Sequence, residues 1–363
     1  MKHKRRSVLC GLLAMIAAAG MSGLTSDFVS AKDASVSSSF YREAETEPVS
    51  LEPVNKSKGV TYVYSDTGSI SAINLNGNSA IIESVLNPDD EETYTKIYID
   101  VNKNGKVDAD ETAVKLPKVV AGEVADEGVV SEYIDSTLAV FGVYQAITTE
   151  PIVITNKADL QTLFGVYGGE AKAVTLNNTG SVKVLFAASE STVSGNIVLN
   201  NTGANMGTTY AAQNCTVTGD ITMVQKNSPA SQVMGASGGK VIGNVSLTIS
   251  FDKEVDGSCA TVFAACNTAV EGKVKLCHQG GTVSGEEYAV NSGSVESKDT
   301  SEPAVIVDVQ NGLSVVNVGA VRGAEITSKA PTAVQLLPTI INCRGRTFIL
   351  YIHRRLPQPG MRQ

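Results

Sequence analysis

Along residues 193–276 apolar and polar side chains alternate in short runs. Val193, Gly195, Ile197 and Leu199 fall on one side of an extended chain and Ser194, Asn196, Val198 and Asn200 on the other, which is the two-residue period of a strand. The run returns as Val217-Thr218-Gly219 (then Ile221, Met223), Val241-Ile242-Gly243 (Val245, Leu247) and Val270-Glu271-Gly272 (Val274, Leu276). The first three copies start 24 residues apart and the last 29 further on. A period of about 20 to 50 residues marks one supersecondary unit stacked on copies of itself, because a single unit cannot bury its apolar face alone.

An apolar residue and a small pair precede each Val-x-Gly: Phe186-Ala187-Ala188, Tyr210-Ala211-Ala212, Met234-Gly235-Ala236 and Phe263-Ala264-Ala265. The frame reaches back to Phe141-Gly142-Val143-Tyr144 and Phe164-Gly165-Val166-Tyr167, and forward to Tyr288-Ala289-Val290 and a fading copy over 315–323. The intervening segments, such as 200–207 and 235–239, are Gly, Ser, Thr and Asn clusters that favour turns and break helices. The pattern predicts an all-β chain with a right-handed parallel β-helix over 138–327. Ile197, Ile221, Val245 and Val274 should share one interior ladder, and the Ala/Gly pairs should lie where the coil bends. An antiparallel sandwich of short strands is the rival.

Upstream, residues 100–111 read Asp-Val-Asn-Lys-Asn-Gly-Lys-Val-Asp-Ala-Asp-Glu, a calcium-loop spacing. A hard cation wants six to eight oxygens. The side chains of Asp100, Asn102 and Asn104, the Lys106 carbonyl, Asp108 and a bidentate Glu111 would supply them, with Gly105 permitting the turn and Val107 pointing inward. A strand over 94–99 enters the loop, and only a short helix fits between it and Pro117. With strands over 60–64 and 70–75, residues 58–120 are expected to form a small β module, followed by a linker over 121–137.

The termini differ from the body. Residues 1–31 combine Lys2, Lys4, Arg5 and Arg6, an apolar run over 8–20 and a Val29-Ser30-Ala31 exit, the features of a cleaved secretion leader. No stable membrane span is expected once it is removed. Residues 32–57, rich in Ser, Glu, Pro and Lys, read as a disordered linker. Residues 328–363 form an atypical tail, with five arginines and no acid after residue 338, that reads as a non-native remnant. The net charge of −8 becomes −11 without the leader and −16 when those five arginines are also set aside. So acidic a body repels phosphate backbones, which argues against nucleic acid as a partner. Five cysteines remain after the leader, an odd number without a Cys-x-x-Cys pair, so buried free thiols are favoured over a disulfide framework or a zinc site.

The Ile97–Gly105 calcium loop, together with the Phe/Tyr-Ala/Gly-Ala/Gly…Thr-Val-x-Gly-Asn/Asp repeats at 186–196 and 210–220, resembles secreted or surface β-helix proteins of Gram-positive, gut-type bacteria. The resemblance covers about residues 58–325. It implies an extracellular, adhesin-like protein whose partners are cell-wall material, host glycans or other surface proteins.

Parallel β-helices also carry polysaccharide lyases and hydrolases. Those chemistries need paired carboxylates or a base beside an acidic sugar. The repeats contain no tryptophan, no arginine before Arg322 and one histidine, His278, read as a solvated strand residue. The acidic group Asp252, Glu254 and Asp256 reads as a solvated loop. A non-catalytic structural or adhesive role is therefore expected, with no catalytic residues assigned. A carbohydrate-active enzyme and a fragment of a larger surface protein are the alternatives.

Overall fold

The computed structural model describes residues 51–329 except 57–58, 66–68, 89–90, 118, 121–122, 125–130, 205–206, 253–256, 300, 302, 311–315 and 318–325. The expected leader (1–31), most of the 32–57 linker, nearly all of the 328–363 tail, Glu254 and Asp256 lie outside the described residues, as does Cys343. The described chain is all-β, with no α-helix. Its strands form a 15-stranded sheet, a 10-stranded sheet and a two-stranded ribbon. Most pairings are parallel, and the larger sheet curls into a half-barrel. The loop at 100–111 is not followed by the short helix that the spacing allowed.

Each copy sends one short strand to the smaller sheet and one longer strand to the larger. In the smaller sheet Ile152 pairs with Val174, Val174 with Ile197, Ile197 with Ile221, Ile221 with Val245, Val245 with Val274 and Val274 with Val305. All seven side chains are fully buried in one core. The ladder expected from the repeat glycines is thus present, and its parallel register excludes the antiparallel sandwich for this region. A second row, Ile154, Leu176, Leu199, Met223, Leu247, Leu276 and Val307, runs two residues along. Each such side chain contributes about 1.5–3 kcal/mol when buried. The strands alternate buried with half-buried positions, so the opposite face of this parallel sheet stays in contact with water. Parallel sheets are more commonly covered on both faces.

The small pairs mark a bend within the longer strands. Ala187 and Ala188, like Ala264 and Ala265, are consecutive yet both belong to the inner core, whereas Phe186 and Phe263 belong to a separate outer cluster. Alternation therefore slips by one residue there. A Cβ on Gly142, Gly165 or Gly235 would run into the carbonyl of the next copy. The aromatic residues ahead of the pairs stack copy on copy: Phe141 on Phe164, Phe164 on Phe186 and Phe186 on Tyr210, with centroids 5.1, 4.9 and 4.8 Å apart.

The repeated Val-x-Gly-Asn/Asp builds a second corner. Val193, Val217, Val241, Val270 and Val295 pair in sequence along the larger sheet. Gly195, Gly219, Gly243 and Gly272 pass so close to the preceding turn that a Cβ would meet its backbone. The next residue bonds copy to copy: Asn196 Oδ1 accepts from the Asp220 amide at 2.9 Å, Asp220 Oδ1 from the Asn244 amide at 2.7 Å, and Asn244 Oδ1 from the Lys273 amide at 2.8 Å. This column satisfies turn amides that sheet pairing leaves over.

Both sheets continue from the first copy into strands that precede the 100–111 loop. Strand Ile70–Asn74 pairs parallel with Ala139–Tyr144, and Ala80–Leu86 with Ile152–Asn156. Two antiparallel strands, Thr61–Tyr64 and Thr93–Ile99, lie outermost on these pairs. The described residues of 58–120 therefore share both sheets and the core with the repeats, through Ile73, Ile82, Ile97 and Val114.

Candidate metal centre

The loop leaves strand Thr93–Ile99 at Asp100, whose amide donates to the Ser79 carbonyl at 2.9 Å. It rejoins the core at Val114, whose amide donates to the Ile97 carbonyl at 2.7 Å. Between these anchors the polar side chains turn inward onto backbone amides. Asp100 Oδ1 accepts from the Asn104 amide at 3.1 Å and Oδ2 from the Gly105 amide at 3.0 Å. Glu111 Oε1 accepts from the Val101 amide and Oε2 from the Asp108 amide, both at 3.2 Å. Asn102 Oδ1 and Asn104 Oδ1 accept from the amides two residues on, at 2.9 and 2.7 Å. Lys103 and Gly105 take left-handed φ of 60° and 72°, which Gly105 adopts without a Cβ penalty.

Asp108 is the focus. Asn102 Nδ2 and Asn104 Nδ2 both donate to its Oδ2, at 2.6 and 2.7 Å. Those bonds, Asn102's first, hold its carboxyl below the ordinary aspartate range. Two amide donors on one carboxylate oxygen supply partial positive charge inside the loop, where a cation would do so more strongly. Asp100 and Glu111 are nearly buried, at 1% and 9% exposure, and carboxylates so placed need compensation. Each asparagine oxygen has spent one of its two lone pairs, leaving the other for an ion. The residues thus fit a hard divalent cation. Asp100, Asn102, Asn104, Asp108 and Glu111 would hold it with their side chains and Lys106 with its carbonyl, and it would supply charge and rigidity. Among the described residues no group of three or more His, Cys, Asp or Glu is placed so that it could hold a metal ion by itself.

One expectation for the loop fails. Val107 does not point inward; it is 37% exposed, and Val101 is exposed too. The buried ends of Asp100 and Glu111, together with Val114, anchor the loop instead. Its other side faces the first repeat: Lys103 Nζ donates to the Pro151 carbonyl at 3.3 Å, and Gly105 faces Thr155.

The reading of His278 as a solvated residue is also wrong. His278 and Glu287 are both fully buried, with Nδ1 3.1 Å from Glu287 Oε1 and 3.2 Å from Oε2, while Nε2 lies 2.9 Å from the Gly280 carbonyl. The sequence carried both placements. His278 follows Val274 and Leu276 in phase, and Glu287 precedes Tyr288 as Val262 precedes Phe263.

Four of the expected free cysteines, Cys215, Cys259, Cys266 and Cys277, are buried and unbridged. Burial pushes the thiols of Cys215 and Cys266 up to about 11 and that of Cys259 to about 12, so they persist as inert thiols. Asp252 lies on an exposed turn, accepting from Asn227 Nδ2 at 2.7 Å. Among the described residues no helix is long and apolar enough to cross a membrane.

No protein-family model, curated protein or solved structure matches the chain.

Proposed function

We propose that the chain is an exported, non-catalytic structural or adhesive protein: a right-handed parallel β-helix whose N-terminal end is stiffened by calcium. The observation that carries this reading is the unbroken parallel register from Ile152 to Val305, with one core extending from Ile73 to Val307. Successive copies that pair in the same order in both sheets suit a coil, and the right hand follows from the usual sense of parallel crossovers. Such a rod displays a long, regular, hydroxyl- and amide-rich surface, suited to contact with a wall polymer, a host glycan or another surface protein.

The one histidine of the repeats and its carboxylate partner are sealed inside the core, which favours a scaffold over a surface catalyst. Calcium at Asp100, Asn102, Asn104, Lys106, Asp108 and Glu111 belongs to the same reading. Extracellular modules bind it at roughly 10⁻⁴–10⁻³ M, a range in which an abundant ion acts as a fixed brace. The test is to express the chain in a Gram-positive host, treat intact cells with protease, and follow the protein by immunoblot. The expected result is leader-cleaved protein in the medium or removed from the cell surface; protease-protected, full-length protein inside the cells would overturn the reading.

A further inference from the structure

The regularity of the repeats makes their departures informative. From the corner valine to the first ladder residue is four positions in four copies: Val193 to Ile197, Val217 to Ile221, Val241 to Val245 and Val270 to Val274. Val295 and Val305 are the register partners of Val270 and Val274, yet stand ten positions apart, six more. Among the described residues of the insertion, Asp299 ties it to the preceding copy. Asp299 accepts from Lys273 Nζ at 2.6 Å and from the Ser301 amide at 2.9 Å. These bonds, with that to Lys273 foremost, hold its carboxyl well below the usual range.

An open groove of about 510 Å³ is lined by Ser297, Lys298 and Asp299 of the insertion and by Ser246, Lys275 and Ile306 of the smaller sheet. That is within the roughly 300–1,000 Å³ typical of small-ligand sites. Five charged residues line it. Glu271 is neutralised by Lys240 at 2.6 Å and Asp299 by Lys273 at 2.6 Å. Lys275 and Lys298 form no close ion pair among the described residues, Lys298 acting on Glu271 only at longer range, so the lining holds three lysines against two acids. Ser246, Ser297 and Asn244 stand beside them and add neutral hydrogen-bonding groups. The body is acidic as a whole. At physiological ionic strength, however, charges more than about 8 Å away are largely screened, and the nearby lysines dominate the groove.

We infer that this groove binds an acidic saccharide, with Lys275 and Lys298 on a uronate carboxylate and Asn244, Ser246 and Ser297 on sugar hydroxyls. A ligand with carboxylates and hydroxyls together matches the lining, because a sugar hydroxyl can both donate to and accept from a serine hydroxyl. An extended acidic peptide gains much of its affinity from an open sheet edge. None is offered here, because strand Val274–Gln279 is paired on both sides. The surface-protein reading is needed only to bring such a ligand within reach.

The experiment is calorimetric titration of the leader-free chain with a tetramer of galacturonate, in chelator so that a metal at the Asp100 loop cannot bridge carboxylates. Saturable binding is expected, weakened at least about tenfold in the Lys275→Gln/Lys298→Gln double variant, and unchanged by Lys183→Gln on an exposed strand position elsewhere. Equal binding of a neutral galactose tetramer, tighter binding of a glutamate-rich peptide or of inorganic phosphate, or no loss in the double variant would each overturn the inference. No binding in a protein that nevertheless reaches the cell surface removes the groove ligand and leaves the surface reading standing. Binding by a protein confined to the cytoplasm does the reverse.

Discussion

His278 Nδ1 and Glu287 Oε1 meet 3.1 Å apart in the aliphatic core, where their counterparts in the preceding copy are Ile249 and Val262. Both imidazole nitrogens face oxygen atoms, Nδ1 the Glu287 carboxylate and Nε2 the Gly280 carbonyl. Removing one member of a buried pair strands the other. Glu287→Ala should cost about 3–5 kcal/mol, whereas His278→Ile/Glu287→Val, which restores the apolar ladder, should be neutral or stabilising. Urea unfolding of the three proteins checks this; a double variant as unstable as the single would show that the pair holds this end of the chain together.

A second polar row replaces aliphatic packing in the first copies. Asn156 Nδ2 donates to Asn178 Oδ1 at 2.6 Å, Asn178 Nδ2 to Asn201 Oδ1 at 2.7 Å, and Asn201 Nδ2 to Gln225 Oε1 at 3.0 Å. All four side chains are wholly or almost wholly buried. Asn178→Ala would leave Asn156 Nδ2 and Asn201 Oδ1 each short of a partner and free the Gly180 carbonyl. A loss of about 1–3 kcal/mol is expected in urea unfolding. A change within error would mean that water replaces the amide.

Ile221 sits between Ile197 and Val245 in the interior ladder. Ile221→Asp would put an unpaired charge into that stack, and a loss of several kcal/mol, with failure to accumulate as folded protein, is expected. Gly219→Ala acts at the corner beside it, where a Cβ would overlap the Gly195 backbone, and should cost about 1–3 kcal/mol through overpacking. Thermal melts of both report the order; Gly219→Ala melting like the native protein would show that the corner can relax.

The buried thiols give a pH dependence with a definite sign. Thiols that ionise near 9 in the unfolded chain are held to about 11–12 in the folded one for Cys215, Cys259 and Cys266. The unfolded state therefore loses protons first. This stabilisation is complete below pH 9 and is lost as pH rises through the folded values. Native protein at neutral pH should resist alkylation at these three positions and react fully in denaturant, as read by mass spectrometry. Rapid native labelling would contradict their burial.

Calcium should raise the melting temperature of the whole leader-free chain, because the loop shares its sheets and core with the first repeats. With saturating ion at about 100 times Kd the gain is about 2.7 kcal/mol. Glu111→Ala, which removes two oxygens at once, should abolish the shift, and Asp100→Asn should reduce it. Melts with and without millimolar calcium decide; an unmoved native protein would rule out the site.

The two-residue alternation and the Val-x-Gly spacing determined that the chain is all-β and which aliphatic residues share a ladder. Those properties follow from local geometry repeated at a fixed interval. The inward turn of the polar side chains at 100–111 is a local matter too, since a loop of twelve residues brings its own donors together. Three-dimensional stacking decided the rest. A column of left-handed residues, Gln145, Gly168, Glu190, Asn214, Gly238, Asn267 and Ser292, turns one corner in successive copies, yet no shared residue type announces it. The backbone there is set by the copies above and below, not by local preference. Val107 looked like an anchor by composition and is exposed, because buried carboxylates hold the loop. His278 looked like a surface residue because polarity was given more weight than phase. In a stacked chain phase decides burial, and a polar side chain on the inward phase is carried into the core, where it must find its partner, here Glu287, from a strand of the larger sheet.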